Sequence, residues 1–188
     1  SDAHGISFAA GATKPDGQLV VIARIDRALL TAPEEKLQAA AAMASDMFDS
    51  AGNVQQAPSE YRTALLPASP ASGDEVLVTI AGDEVSEIEL PFQGTPEAAR
   101  ISETGPKKAR IPAAYVVAKS GNNEAYAADE TDAITGKPSW TEIARFDSPI
   151  ISLARENGSN EIVVQLDDGS YKKIARTADG WKVEDIVI

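Results

Sequence analysis

The forty or so residues from Pro149 to Ile188 constrain the fold more than any other part of the chain. Short runs (SPIISLARE, EIVVQL, YKKIAR and WKVEDIVI) alternate with the turn-forming clusters NGSN, DDGS and TADG. In EIVVQL, Ile162, Val164 and Leu166 share one face and Glu161, Val163 and Gln165 the other. That period of two is the signature of a half-buried strand, since successive side chains point to opposite sides. Asp168-Gly169 predicts a tight two-residue hairpin, because primed turns need positive φ; Asn157-Gly158 and Asp179-Gly180 repeat the signal on either side. In the last run Trp181 and Val183 share a face while Ile186 and Ile188 fall on the other, and a bulge near Glu184 or Asp185 reconciles the two halves. The stretch reads as a three- or four-stranded antiparallel meander.

Upstream, residues 1–17 carry Gly and Pro punctuation without a period and read as a flexible N-terminal arm. QLVVIARI (18–25) is a buried strand. A helix is expected over 33–50. Thr31 and Glu34 fit a capping box, and Leu37, Ala40, Ala41, Ala44, Met47 and Phe48 form one apolar stripe. Residues 53–73 read as a connection, 75–80 and 85–90 as a hairpin, and 91–111 as loop. Strands follow at 111–119 and 124–128, an acidic turn-rich segment at 129–138, and a further strand within 139–146. The expected fold class is therefore α+β: a single domain over 18–188, dominated by an antiparallel sheet of about eight or nine strands, with one main helix packed on it.

Composition narrows the chemistry. Seventeen Lys and Arg against 29 Asp and Glu give a formal charge of -12, which argues against nucleic-acid binding through phosphate neutralisation. Lys107, Lys108 and Arg110 are the one basic knot, read as a solvated loop. The absence of cysteine removes disulfides, thiol nucleophiles and thiolate metal sites. No run approaches the roughly 18 apolar residues of a membrane span. The small, polar start resembles a segment just past a signal-peptide cleavage site, and a cysteine-free, acidic, alanine-rich chain suits a periplasmic or secreted protein with envelope association.

No cofactor is implied by any motif. No Gly-rich loop opens a helix after a strand, and there is no G-x-S-x-G elbow. His4 is the only histidine. Were Asp2 the native first residue, His4 would complete an amino-terminal copper or nickel motif; otherwise it belongs to the arm. Asp129, Glu130, Asp132 and Glu142 invite a calcium-loop reading. In an EF-hand template started at Asp129, however, the sixth position is Ile134 rather than glycine, so the template fails and no metal site is assigned. The candidate binding residues are aromatic and basic. Trp140, Tyr171 and Trp181 stand with Arg145, Arg155 and Arg176 in or beside the C-terminal strands, where they read either as core and snorkelling edge residues or as a concave sheet face taking a small ligand or partner peptide.

The ending, with Asp179-Gly180-Trp181-Lys182-Val183 followed by Asp185-Ile186, resembles the close of the cystatin-like or nuclear-transport-factor-like group of small exported bacterial proteins. That resemblance covers about a quarter of the chain. It implies a helix laid against a strongly curved antiparallel sheet and carries no catalytic residues over. Three functions are expected: foremost a non-enzymatic extracytoplasmic module binding a partner protein or small ligand; then a small hydrolase or isomerase with a carboxylate in a sheet cavity; then a structural or adhesion-type β-sandwich.

Overall fold

The computed structural model describes residues 6–30, 38, 41–42, 74–155 and 160–186. Twelve strands among them form three four-stranded sheets, every pairing antiparallel and between strands adjacent in sequence. The α+β expectation is thereby corrected. The described chain is nearly all antiparallel sheet, and its helical segments are a 3-10 turn at Arg27–Leu30 and a single α-turn at Glu130–Ala133, together with Gln38, Ala41 and Ala42. The expected helix over 33–50 otherwise lies outside the described residues, as do the 53–73 connection, His4 and the Asn157-Gly158 turn. No helix among the described residues is long and apolar enough to cross a membrane.

The chain divides into two compact units, one comprising residues 1–89 with 134–137 and the other 90–133 with 138–188. In the first, β1 (Ile6–Thr13), β2 (Leu19–Asp26), β3 (Glu75–Ala81) and β4 (Glu84–Glu87) form a meander. β1 falls where the sequence suggests an arm. Its alternation is carried by Phe8, Ala10 and Ala12, mostly small residues of low strand propensity, and what orders it is the ladder to β2 from Thr13↔Leu19 to Phe8↔Arg24. Val21, Ala23, Ile25, Val76, Val78 and Ile80 build the core, joined by Leu29 and Ala41. Asp26 is buried because its Oδ1 accepts from the Ala28 amide at 2.9 Å, capping the 3-10 turn. Arg27 ties the start of that turn to the approach of β3, donating its amide to the Asp74 carbonyl and its guanidinium to the Asp74 carboxylate at 2.8 Å.

The second unit holds two sheets. One contains β5 (Pro96–Ile101), β6 (Ala114–Lys119), β7 (Glu124–Asp129) and β8 (Thr141–Arg145); the other β9 (Ile150–Arg155), β10 (Glu161–Leu166), β11 (Tyr171–Thr177) and β12 (Gly180–Asp185). Their inner faces share one core: Ala99, Ile101, Val116, Ala118, Ala125 and Ala127 meet Ile150, Leu153, Ile162, Val164, Leu166 and Ile174. The alanine-rich face against the branched-chain face lets the sheets approach closely, so this unit is a packed pair of sheets. Asn160 fastens them at one end. Its amide nitrogen donates to the Ser102 carbonyl and its oxygen accepts from the Ser102 amide, each at 2.8 Å. β5 occupies part of the segment expected as loop. Its proline sits at the first position, where a missing donor is tolerated, and its buried residues are two alanines and an isoleucine beyond that proline.

The C-terminal meander forms as expected with corrections to its last strand and its turns. The expected Asp179-Gly180 turn is Ala178-Asp179, since Gly180 pairs with Thr177 and opens β12. The β11–β12 register runs without interruption from Lys172↔Asp185 to Thr177↔Gly180, so there is no bulge near Glu184 or Asp185. β12 ends at Asp185, and Ile186 lies beyond it. The Asp168-Gly169 hairpin is not a two-residue primed turn, because among the described residues only glycines, and so not Asp168, have positive φ. Instead the Gly169 amide donates to the Leu166 carbonyl and the Leu166 amide to the Ser170 carbonyl, both at 3.0 Å. That pattern is a three-residue loop, a type I turn closed by a left-handed residue. Asp168 Oδ1 accepts from the Ser170 amide at 2.8 Å. Gly169, at φ 87°, carries the left-handed position, with open space where a Cβ would lie. Gly169→Ala is expected to cost about 1 kcal/mol from backbone strain alone, read as a small fall in urea midpoint with an unchanged slope.

Candidate functional site

β11 and β12 form one wall of a cleft in the second unit. Across the ladder Ile174 faces Val183 and Arg176 faces Trp181, placing all four on the core side. Ile174 is completely buried, whereas Val183 on the edge strand is 40% exposed. On the facing sheet Ala125, Ala127 and Asp129 alternate onto the same inner side, and Thr141 lies opposite Ala127. Where large apolar side chains give out, Ala127 leaves space and polar residues close over it. The result is an open cleft of about 330 Å³ lined by Ala127, Ala128, Asp129, Thr131, Asp132, Ser139, Thr141, Arg176 and Trp181.

Arg176 is the centre of this arrangement. Its Nη1 donates to Asp129 Oδ1 at 2.8 Å and to the Pro112 carbonyl at 3.1 Å. Its guanidinium carbon sits 5.2 Å from the Trp181 ring centroid, within cation–π range. Nε and Nη2 have no acceptor among the described residues, so the fork keeps donors for another molecule. Asp132 Oδ2 accepts from the Ser139 amide at 2.7 Å, bridging the α-turn to the approach of β8.

The α-turn that carries Thr131 and Asp132 is held from the opposite face of its sheet. Glu130 receives Arg100 bidentately, Nε to Oε2 at 2.6 Å and Nη2 to Oε1 at 3.1 Å, while the Tyr115 hydroxyl donates to Oε2 at 2.9 Å. Burial pushes the Tyr115 phenol well above its ordinary range, with the neighbouring Glu130 charge adding to it. The Glu130 hydrogen bond holds the Arg100 guanidinium still more firmly protonated. Adjacent carboxylates, Asp129 and Glu130, thus each take an arginine, one toward the sandwich core and one away from it.

Of the six residues singled out from sequence, Arg176 and Trp181 meet in the cleft. Trp140 is half-buried and stands in the chain between two lining residues, Ser139 and Thr141, without lining the cleft itself. Arg145 is exposed on β8 and its charge is met by Glu124 at 2.9 Å and Glu142 at 2.8 Å. Arg155 is exposed at the end of β9 opposite Ile162. Tyr171 opens β11 opposite Gln165. Thr131, Ser139 and Thr141 carried no sequence signal, and Asp129 and Asp132 drew notice only as calcium ligands. The carboxylates of that calcium reading are spread among protein partners: Asp129 on Arg176, Glu130 on Arg100, Asp132 on a backbone amide, Glu142 on Arg145. Parity could have flagged Asp129, since a carboxylate continuing a core-facing alternation requires a partner. Comparison with protein-family models, with curated proteins and with solved structures finds no match for this chain.

Proposed function

We propose that the chain is a non-enzymatic binding module that takes a small ligand, or the tip of a partner, in the cleft around Arg176 and Trp181. One observation carries this reading: Arg176 lines an open cleft and is fixed by Asp129, by the Pro112 carbonyl and by the Trp181 ring, yet its Nε and Nη2 have no acceptor among the described residues. An arginine held in this way loses little side-chain freedom when it binds, which is the condition for useful affinity from few contacts. The volume, about 330 Å³, is at the small end of ligand sites. The acidic, cysteine-free composition supports an extracytoplasmic setting, periplasmic or secreted. The two sheets packed on one core favour a second reading, a structural sandwich domain with no ligand.

Two tryptophans in the whole chain make the test direct. Trp140→Phe leaves Trp181 as sole emitter. This protein is titrated with neutral sugars, sugar acids, amino sugars, nucleotides and short peptides. Saturable change in Trp181 emission by one class, abolished by Arg176→Ala and with the ligand recovered chemically unaltered, is the expected result. Conversion of the ligand would replace the binding reading with the hydrolase one. No response from any class would leave the structural sandwich.

A further inference from the structure

The cleft presents donors and acceptors to the same small volume. The unengaged nitrogens of Arg176 are donors, the carboxylates of Asp129 and Asp132 are acceptors, and the hydroxyls of Thr131, Ser139 and Thr141 can be either. Two carboxylates stand against one guanidinium, so an anionic ligand meets net repulsion that Arg176, half spent on Asp129 at 2.8 Å, does not overcome. A cationic ligand gains from that net charge, but the aromatic face that would best hold it is taken, because a guanidinium already lies 5.2 Å from the Trp181 centroid. A second cation there would face a like charge at close range.

Neutral groups that donate and accept at once satisfy both sides. A hydroxyl can donate to a carboxylate while accepting from a guanidinium, and two neighbouring hydroxyls on one ring can span an arginine–aspartate pair. The remaining side-chain lining is apolar but small, Ala127, with the part-exposed Trp181 at the edge. That surface suits the C–H face of a pyranose better than a flat aromatic or an alkyl chain. Resting on the binding reading above, we infer that the cleft takes a neutral saccharide, one ring of which fills it, with Arg176 bridging vicinal hydroxyls and Thr141 contributing a further hydrogen bond.

The probes are glucose, galactose, mannose, N-acetylglucosamine and their β-linked disaccharides, each against its uronic acid or amino-sugar counterpart, titrated into the Trp140→Phe protein. Two variants keep shape while removing hydrogen bonds. Arg176→Lys retains the charge without the fork, and Thr141→Val removes one hydroxyl at constant volume on a strand. Near-ultraviolet circular dichroism establishes that both are folded. At least one neutral sugar is expected to bind at least tenfold more tightly than its charged counterparts, and each variant to weaken it at least fivefold. Charged counterparts binding as well as the neutral sugars overturn the saccharide inference and leave the binding reading intact. Neutral sugars binding equally to wild type and both variants overturn it too, since the site is then elsewhere. Silence from every sugar while a nucleotide or peptide perturbs Trp181 overturns the saccharide alone, whereas silence from every class overturns both readings.

Discussion

Ile162→Ala is expected to lower the stability of the protein by about 3 kcal/mol, within the range of buried large-to-small substitutions, and to shift the thermal midpoint down by about 6–12 °C. Ile162 is fully buried in β10. It contributes to the core shared by both sheets of the second unit, and pairs with Arg155 on one side and Ile174 on the other. Its facing surface is largely alanine, Ala99, Ala118, Ala125 and Ala127. Alanines have no side chain to lean into a gap, so the cavity cannot close without moving a strand, which keeps the cost above the lower limit of that range. Val183→Ala is the matched control. It lies on the same face two strands out, but is 40% exposed, and is expected to cost under about 0.5 kcal/mol. Equal losses from the two variants, measured by urea denaturation, would mean that the sheets do not share a tightly packed core.

That alanine surface also accounts for what the sequence could and could not disclose. β2, β3 and β10 were legible because Val, Ile and Leu alternate or run together there, and such side chains favour a pleated, buried surface. β1 and β5 were not, because ISFAAGAT and PEAARI bury mainly alanine, whose propensity points elsewhere and whose hydrophobic signal is weak. In these strands tertiary pairing decides the structure: β5 is fixed by its ladder to β6, from Pro96↔Lys119 to Ile101↔Ala114. The Asp168-Gly169 turn was placed correctly but its chemistry was misread, and the last turn is Ala178-Asp179, with Gly180 already paired to Thr177 in β12. Asp168-Gly169 suggested positive φ at both positions, whereas Asp168 spends its carboxylate on Ser170 and leaves the left-handed position to Gly169 alone. The bulge proposed for β12 came from treating Ile186 as part of the strand, which stops at Asp185.

The site was half legible. Arg176 and Trp181 could be paired in thought because a short turn between them makes them cross-strand neighbours. Arg145, Arg155 and Tyr171 shared their residue types but not their position, and their strands carry them away from the cleft. The acidic segment was visible as a cluster, and spacing alone suggested a cation. What spacing could not show is that the strand ends at Asp129 and the α-turn begins at Glu130, so that the two carboxylates leave on opposite sides of the sheet and serve different arginines rather than one ion.

This opposed pair makes the last expectation the most informative about how the cleft is built. Glu130→Ala is expected to destabilise the protein by about 2–4 kcal/mol, because it strands Arg100 and the Tyr115 hydroxyl in a largely buried setting. Glu130 and Arg100 are 16% and 25% exposed, so screening by solvent removes only part of that penalty. Tyr115→Phe is milder, about 1 kcal/mol, since Glu130 keeps both bonds from Arg100. The two variants separate further with pH. Burial raises the Tyr115 phenol above its unfolded value near 10, so above that pH the unfolded chain releases a proton that the folded chain retains. The native state then binds more protons than the unfolded one, and stability must fall as pH rises. It is fully present below about pH 10 and lost progressively above it. In Tyr115→Phe this alkaline decline is expected to flatten while stability at neutral pH changes little, a pattern that urea midpoints at pH 7 to 11 would read directly. An unchanged alkaline slope in Tyr115→Phe would mean that the phenol is not the group whose ionisation opens the fold. Because the α-turn bearing Thr131 and Asp132 is anchored through Glu130, Glu130→Ala should also weaken any ligand bound in the cleft without touching it, and Tyr115→Phe should leave that affinity nearly intact.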